Sequence, residues 1–279
     1  MRSLISLAKV MILSRRPSAA GKTEPQRPLI VMGNGPSLRS FLNQDASLRE
    51  GFDLMAVNFA AITPEFFQLR PALYILADPH FFNGEEKDSK VRSLWEAFRN
   101  VNWNMTLLLP ARHKKNLRAK LSTLPATVEI KWYNLTPVEG DDALARFLMN
   151  EGLGMPRPRN VLIPAIMTAI RAGYKKIFLV GADHTWSQSL WVDDKNRVVS
   201  VQPHFYKDNK EEEERVAAEY AGYHLHDILN SLRIAFRSYF SIADFAARKG
   251  VKIYNATPGS FIDAFPRCDY AQMKQLSEK

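Results

Sequence analysis

Residues 30–38 read IVMGNGPSL. An apolar run beginning at Leu29 passes straight into Gly33-Asn34-Gly35-Pro36-Ser37. A short apolar run closed by turn residues is the pattern of a strand buried on both faces. The pattern returns at FDLMAVN (52–58), ALYILAD (72–78), MTLLLP (105–110), KKIFLVGAD (175–183) and VKIYNAT (251–257), while VEIKWYN (128–134) alternates as a strand should. Helical stretches are expected between them. These are Ser37 to about Arg49, Lys87–Asn100 with Val91, Leu94, Trp95 and Phe98 on one face, Arg112–Leu121, Asp141–Asn150, Val161–Ala172, and about 211–249. Asn160 is placed to cap the helix that stops at Gly173. Residues 152–160 (GLGMPRPRN) read as a loop, and 184–210 as irregular chain with a hairpin at Asp194-Lys195-Asn196.

Continuous apolar strands alternating with helices imply an α/β fold: a mostly parallel, Rossmann-like sheet with helices on both faces. Ligands in such sheets bind beyond the carboxyl ends of the strands. The candidates are therefore Gly33, Asn34 and Gly35, Asn58, Asp78, Gly181 and Asp183, and Asn255 to Thr257. One domain over 29–267 is expected, preceded by a basic segment and linker (1–28) and followed by a tail (268–279).

The 279 residues, 46% of them apolar, suffice for one sizeable core. Cys268 is the sole cysteine, which excludes intrachain disulfides and cysteine-based zinc sites and fits a reducing, cytoplasmic setting. No apolar run reaches the roughly 18 residues of a membrane span. Of the formal charge of +9, much sits in residues 1–28: Arg2, Lys9, Arg15, Arg16, Lys22 and Arg27 face only Glu24. Arg2, Lys9 and Arg16 share one helical face, while Leu4, Leu7, Ala8, Met11 and Ile12 fall on another. Three readings stay open: a helix on an anionic inner-membrane surface through residues 1–16, a helix packed on the domain or a partner, and a signal peptide ending near Ser18-Ala19-Ala20. Arg112, His113, Lys114, Lys115, Arg118 and Lys120 form a basic cluster, either a solvated helix face or a contact for an anionic acceptor. Glu211–Glu214 reads as a solvated helix start, and Asp141-Asp142 and Asp193-Asp194 as turn residues. No aromatic-and-basic platform or helix-turn-helix pattern points to nucleic acid.

The glycine loop itself has two readings. One is a plain turn. The other is a phosphate or nucleotide site, in which Gly33 and Gly35 let the backbone approach a ligand and the following helix presents free N–H groups. Ser37 then caps the helix or meets a phosphate oxygen, and Asn34 meets a sugar or base edge. The loop is not the dinucleotide fingerprint, since Leu38 stands at its sixth position, and no Walker lysine follows.

VMGNGPSL, RNVLIPAIMTAIRAGYKKIFLVGAD and VKIYNATPGSFIDAF together resemble the bacterial sialyltransferases of glycosyltransferase family 42. They are also similar to the related domain of unknown function 115 of motility-associated flagellin glycosylation factors. The resemblance is carried by short motifs scattered over most of 29–265. It implies a GT-A-like single domain with a lid at about 184–225, a CMP-activated sugar acid as donor, inverting transfer, and no metal or other cofactor. By that resemblance Asn34 and Ser37 contact the nucleotide phosphate and sugar, while Asn58, Arg159, Asn160, Gly181 and Asp183 match family positions. Thr257 lies beside the last-strand motif. Two departures stand out. Asp78 replaces a family asparagine, and His184-Thr185-Trp186 stands where paired tyrosines hold the leaving phosphate, with Tyr206 or Tyr223 as substitutes. Relatives of the second domain include a pterin diphosphokinase using ATP and magnesium, a chemistry that Asp78 suits.

Transfer to a hydroxyl needs a proton acceptor. The resemblance implies a lid histidine shortly before a helix, which favours His226 or His224, with Asp227 adjacent. His204 comes next, and His184 is assigned to donor binding. The expected activity is transfer of a sialic-acid-like sugar from a CMP donor to a glycan or glycolipid precursor of the cell surface, lipopolysaccharide or capsule, by an enzyme peripheral to the membrane. The alternatives are an ATP-dependent diphosphokinase and a non-catalytic nucleotide-binding protein. Oligomeric state is left open, a homo-oligomer included.

Overall fold

The computed structural model describes residues 1–18, 25–83, 88–200 and 222–278. Seven parallel strands form the central sheet: β1 (Leu29–Met32), β2 (Asp53–Val57), β3 (Leu73–Ile75), β4 (Met105–Pro110), β5 (Val128–Tyr133), β6 (Lys176–Val180) and β9 (Lys252–Asn255). Their order is β5-β4-β3-β2-β1-β6-β9. All are the strands read from the sequence. In β1 the reason is plain: Leu29 and Val31 enter the core on one face of the sheet, Ile30 and Met32 the core on the other. Successive side chains point to opposite faces, so a strand covered on both must be apolar throughout.

The first face is covered by α7 (Asp142–Asn150), α8 (Leu162–Ala172) and α9 (Leu225–Arg248), through residues such as Leu148, Ile166 and Tyr239. The other is covered by α2 (Leu38–Leu42), α3 (Pro64–Leu69), α5 (Ser89–Arg99) and α10 (Tyr270–Glu278), through Phe41, Phe66, Trp95 and Met273. The architecture is thus α/β and Rossmann-like. Strands β7 (Leu190–Val192) and β8 (Val198–Ser200) make the expected hairpin, with Asn196 in the left-handed region (φ 58°).

Four expectations change, the first being the helix expected over Arg112–Leu121, which is a 3-10 turn, Ala111–His113, and a separate single turn of helix, Arg118–Leu121. The helix expected over 37–49 ends at Leu42, and a separate 3-10 turn, Ala46–Arg49, begins where Asp45 accepts from Ser47 N–H. The long helix begins at Leu225, because Gly222 (φ 86°) and extended His224 precede it; residues 211–221 lie outside the described chain. The tail is no free end: within α10, Met273 is fully buried.

The amino-terminal helix α1 (Arg2–Leu13) packs on the loop after β5. Asp141 N–H donates to Ser3 Oγ, and buried Ser6 Oγ donates to the Glu139 carbonyl while accepting from its N–H. Leu7 and Val10 pack on the core. Asn134 then clasps the chain: its Nδ2 donates to Arg15 O (2.7 Å) and Gly152 O (2.8 Å), and its Oδ1 accepts from Arg15 N–H (2.9 Å). Beyond it, Ser18 N–H donates to Trp132 O, and Trp132 N–H donates to Ser18 Oγ.

Candidate functional site

The chain runs outward from β1 to β5, then returns to place β6 on the other side of β1. Such a reversal opens a crevice at the strand ends. A cleft of about 770 Å³ lies there, lined by Gly33, Asn34 and Gly35 after β1, Asn58 after β2, Asp78 after β3, Gly181, Asp183 and His184 after β6, and Arg159 and Asn160 before α8. Ten of the expected site residues thus meet around this cleft.

The glycine loop does not serve as a phosphate cradle in this conformation. Three of its four N–H groups are spent on the chain itself: Gly33 N–H donates to Val180 O, Gly35 N–H to Gly181 O, and Ser37 N–H to Asp183 Oδ1. Ser37 Oγ donates to Asp183 Oδ2 at 2.8 Å. The glycines are needed for packing. A Cβ on Gly33 would sit 2.4 Å from the Gly181 carbonyl oxygen, and one on Gly35 would sit 2.0 Å from Asp183 Oδ2. Gly181 (φ 63°) presses on Gly33 in return. The carboxylate of Asp183 thus fills the helix end where an anion was expected. Ser37 is off the cleft. Thr257 is also removed from it: almost fully buried, its hydroxyl accepts from Ala182 N–H and donates to Leu179 O, tying the ends of β6 and β9 together.

The cleft instead presents side-chain amides. Asn34 Nδ2 donates to Val57 O, which leaves its Oδ1 buried without a partner. Asn58, in the left-handed region (φ 50°), has an equally orphaned Oδ1, and Asn160 an orphaned Nδ2. Buried polar atoms are ordinarily satisfied, so orphaned atoms on three residues that line one cleft single out those side chains as the ones a ligand would engage by turning them. Arg112 and Arg159, both exposed, bring positive charge to the same cleft.

A hydrogen-bonded chain orders the far wall. Leu162 N–H and Ile163 N–H converge on one Asn160 side-chain atom, at 3.0 and 3.4 Å, which identifies it as the carbonyl oxygen. Asn160 therefore caps α8, as expected. Buried Tyr239 Oη, 3.0 Å from that oxygen, must donate its single proton there. Its lone pair accepts from His184 Nε2 at 2.6 Å, so Nε2 carries the ring proton and Nδ1 is left as an acceptor. His184 adopts φ 53° and lies against Trp186, with ring centroids 4.0 Å apart. Burial pushes its pKa down to about 3, so the ring is neutral at physiological pH.

Among the described residues, the other expected histidines stand away from the cleft. His224 and His226 stack at the start of α9, where Asp227 accepts from His224 N–H and lies 3.4 Å from His226 Nε2. The His226 side chain is 80% exposed. Tyr223, the expected substitute phosphate ligand, is exposed and off the cleft. His204 and Tyr206 lie outside the described residues. Sequence reasoning missed Gln188 and Ser231 as cleft residues, named Trp186 only within the stretch that replaces paired tyrosines, and gave Arg112 only a place in a basic cluster; Trp186 and Gln188 stand on a 3-10 turn shortly after β6, Arg112 on one after β4, and Ser231 on α9. Among the described residues no three His, Cys, Asp or Glu side chains group as metal ligands. Comparison with known protein families and with curated proteins finds no match to this chain.

Proposed function

We propose that the protein is a glycosyltransferase that takes a sialic-acid-like sugar from a CMP donor and transfers it, with inversion and without a metal, to a hydroxyl of a glycan or glycolipid precursor. The observation that carries this reading is the polar inventory of the cleft at the strand reversal. Two orphaned amide oxygens suit hydroxyl or amine donors of a nucleoside, and one orphaned amide N–H suits an acceptor atom. A CMP-linked sugar acid also carries a phosphate and a carboxylate. Arg112 and Arg159 are the cations placed to meet them, since the glycine loop is occupied by Asp183. Of the expected proton acceptors, His226 and His224 stand off the cleft, which leaves His204, outside the described residues, as the remaining candidate. His184, neutral and fixed by Tyr239, orients the donor by accepting through Nδ1.

The test is calorimetric titration with CMP, CDP, UDP, GDP and ATP, each with and without magnesium. Metal-independent CMP binding that weakens at least tenfold in Arg159→Gln is expected; no cytidine nucleotide binding overturns the reading. Asp78, exposed in the same cleft, favours the diphosphokinase as the second reading. That alternative requires magnesium-dependent ATP binding that Asp78→Asn abolishes.

A further inference from the structure

Helix α1 is packed the opposite way round from a water-facing helix. Its inner face holds Ser3, Ser6, Leu7, Val10 and Ser14, three of them serines that bond to the chain around 136–153. Its outer face holds Leu4, Ile5, Met11 and Ile12, of which Leu4 is 71%, Met11 77% and Ile12 69% exposed. On a helix positions seven and eight apart return to the same side, so these four, with Ala8 between them, make one apolar stripe. Arg2 and Lys9 line one border of the stripe; both lie close enough to Glu139 to help hold its carboxyl below the usual range, after the Arg157 hydrogen bond. Arg16, exposed, follows three residues past the helix end. Water selects against a contiguous apolar face turned outward, so something else covers it.

We infer that α1 is a preformed docking surface for an anionic lipid bilayer, held edge-on to the domain and inserted by its apolar stripe. Twelve residues at about 1.5 Å rise are far too short to cross a hydrocarbon core of about 30 Å, so the helix lies in the interface. The bordering cations match a negatively charged leaflet, which no second copy of this basic face offers. Four side chains also supply much less than the roughly 800 Å² per partner of a stable dimer. The helix docks on the loop after β5, and the cleft residues Leu135 and Arg159 flank that same 136–157 region, so a bound membrane stands beside the cleft.

The experiment is co-sedimentation of the full chain with vesicles of phosphatidylcholine alone or mixed with phosphatidylglycerol. The wild type is expected to pellet with the mixed vesicles. Leu4→Ser/Met11→Ser/Ile12→Ser, at sites whose side chains are exposed, is expected to stay in the supernatant with an unchanged melting temperature. Arg2→Gln/Arg16→Gln is expected to partition roughly 30-fold more weakly, at about 1 kcal/mol for each cation removed. A wild type that stays in solution overturns the inference. So does a serine variant that pellets as before, or a lipid-free, concentration-dependent dimer that the serine variant abolishes.

Discussion

Acidification reads out the His184–Tyr239–Asn160 chain directly. Unfolded, the imidazole protonates near pH 6.5; folded, it resists protonation until about pH 3. Between those values the unfolded state binds the extra proton, so stability is complete above pH 6.5 and is lost as pH falls below it. The slope is about 1.4 kcal/mol per pH unit for a fully shielded ring. His184 keeps partial contact with the cleft's solvent, which damps the effect, and the expected loss between pH 6.5 and pH 5 is about 1–2 kcal/mol. At about 2–4 °C per kcal/mol this lowers the melting temperature by about 2–8 °C. His184→Gln retains an N–H for Tyr239 and removes the titration, so the difference between wild type and variant isolates the histidine. Scanning calorimetry at the two pH values measures it, and nitrogen-detected imidazole spectra test the assigned Nε2–H form. Parallel melting shifts in wild type and variant, a His184 titration near pH 6.5, or an Nδ1–H ring would each refute the proton assignment.

Gly35→Ala forces a methyl into Asp183 and the Gly181 carbonyl, and is expected to cost about 1–3 kcal/mol, read as a lower melting temperature without any ligand present; an unchanged melting temperature contradicts the packing role. Arg112→Gln, at an exposed side chain, is expected to leave the melting temperature in place and weaken CMP at least tenfold by calorimetry. Asn134→Ala removes the clasp on Arg15 and Gly152 and is expected to cost about 2–3 kcal/mol, with residues 1–18 cut earlier in limited proteolysis; unaltered cleavage argues against the clasp.

The inner strands were legible because they are buried on both faces and therefore apolar almost throughout; Ile30 and Val31 serve opposite cores and look alike in sequence, while edge strand β5 turns Glu129 to solvent and shows instead as alternation. The glycine loop was legible as a place of close approach, while the thing approached was not. Its partner, Asp183, lies 146 residues away, and a local pattern of glycines is the same whether a phosphate or a carboxylate fills the bend. For α1 the periodicity was sound but gives no direction. Leu7 turns inward while Leu4, Met11 and Ile12 turn out, because buried serines satisfied by backbone partners outcompete an apolar contact at that site. His224 and His226 with Asp227 do form the expected cluster, and chain order alone could not say how far from the cleft α9 would begin.

The segment after α1 has a second duty. Strand β5 ends the sheet, and an unpartnered outer strand offers free N–H and C=O groups to any extended peptide that drifts past. Ser18 occupies such groups on Trp132 from both sides, acting as a short sealing strip. Removing the first 18 residues to make the protein better behaved would shed its greasy helix and, with it, that seal. The shortened chain would then stick to itself through the bared strand, exchanging one adhesive surface for another.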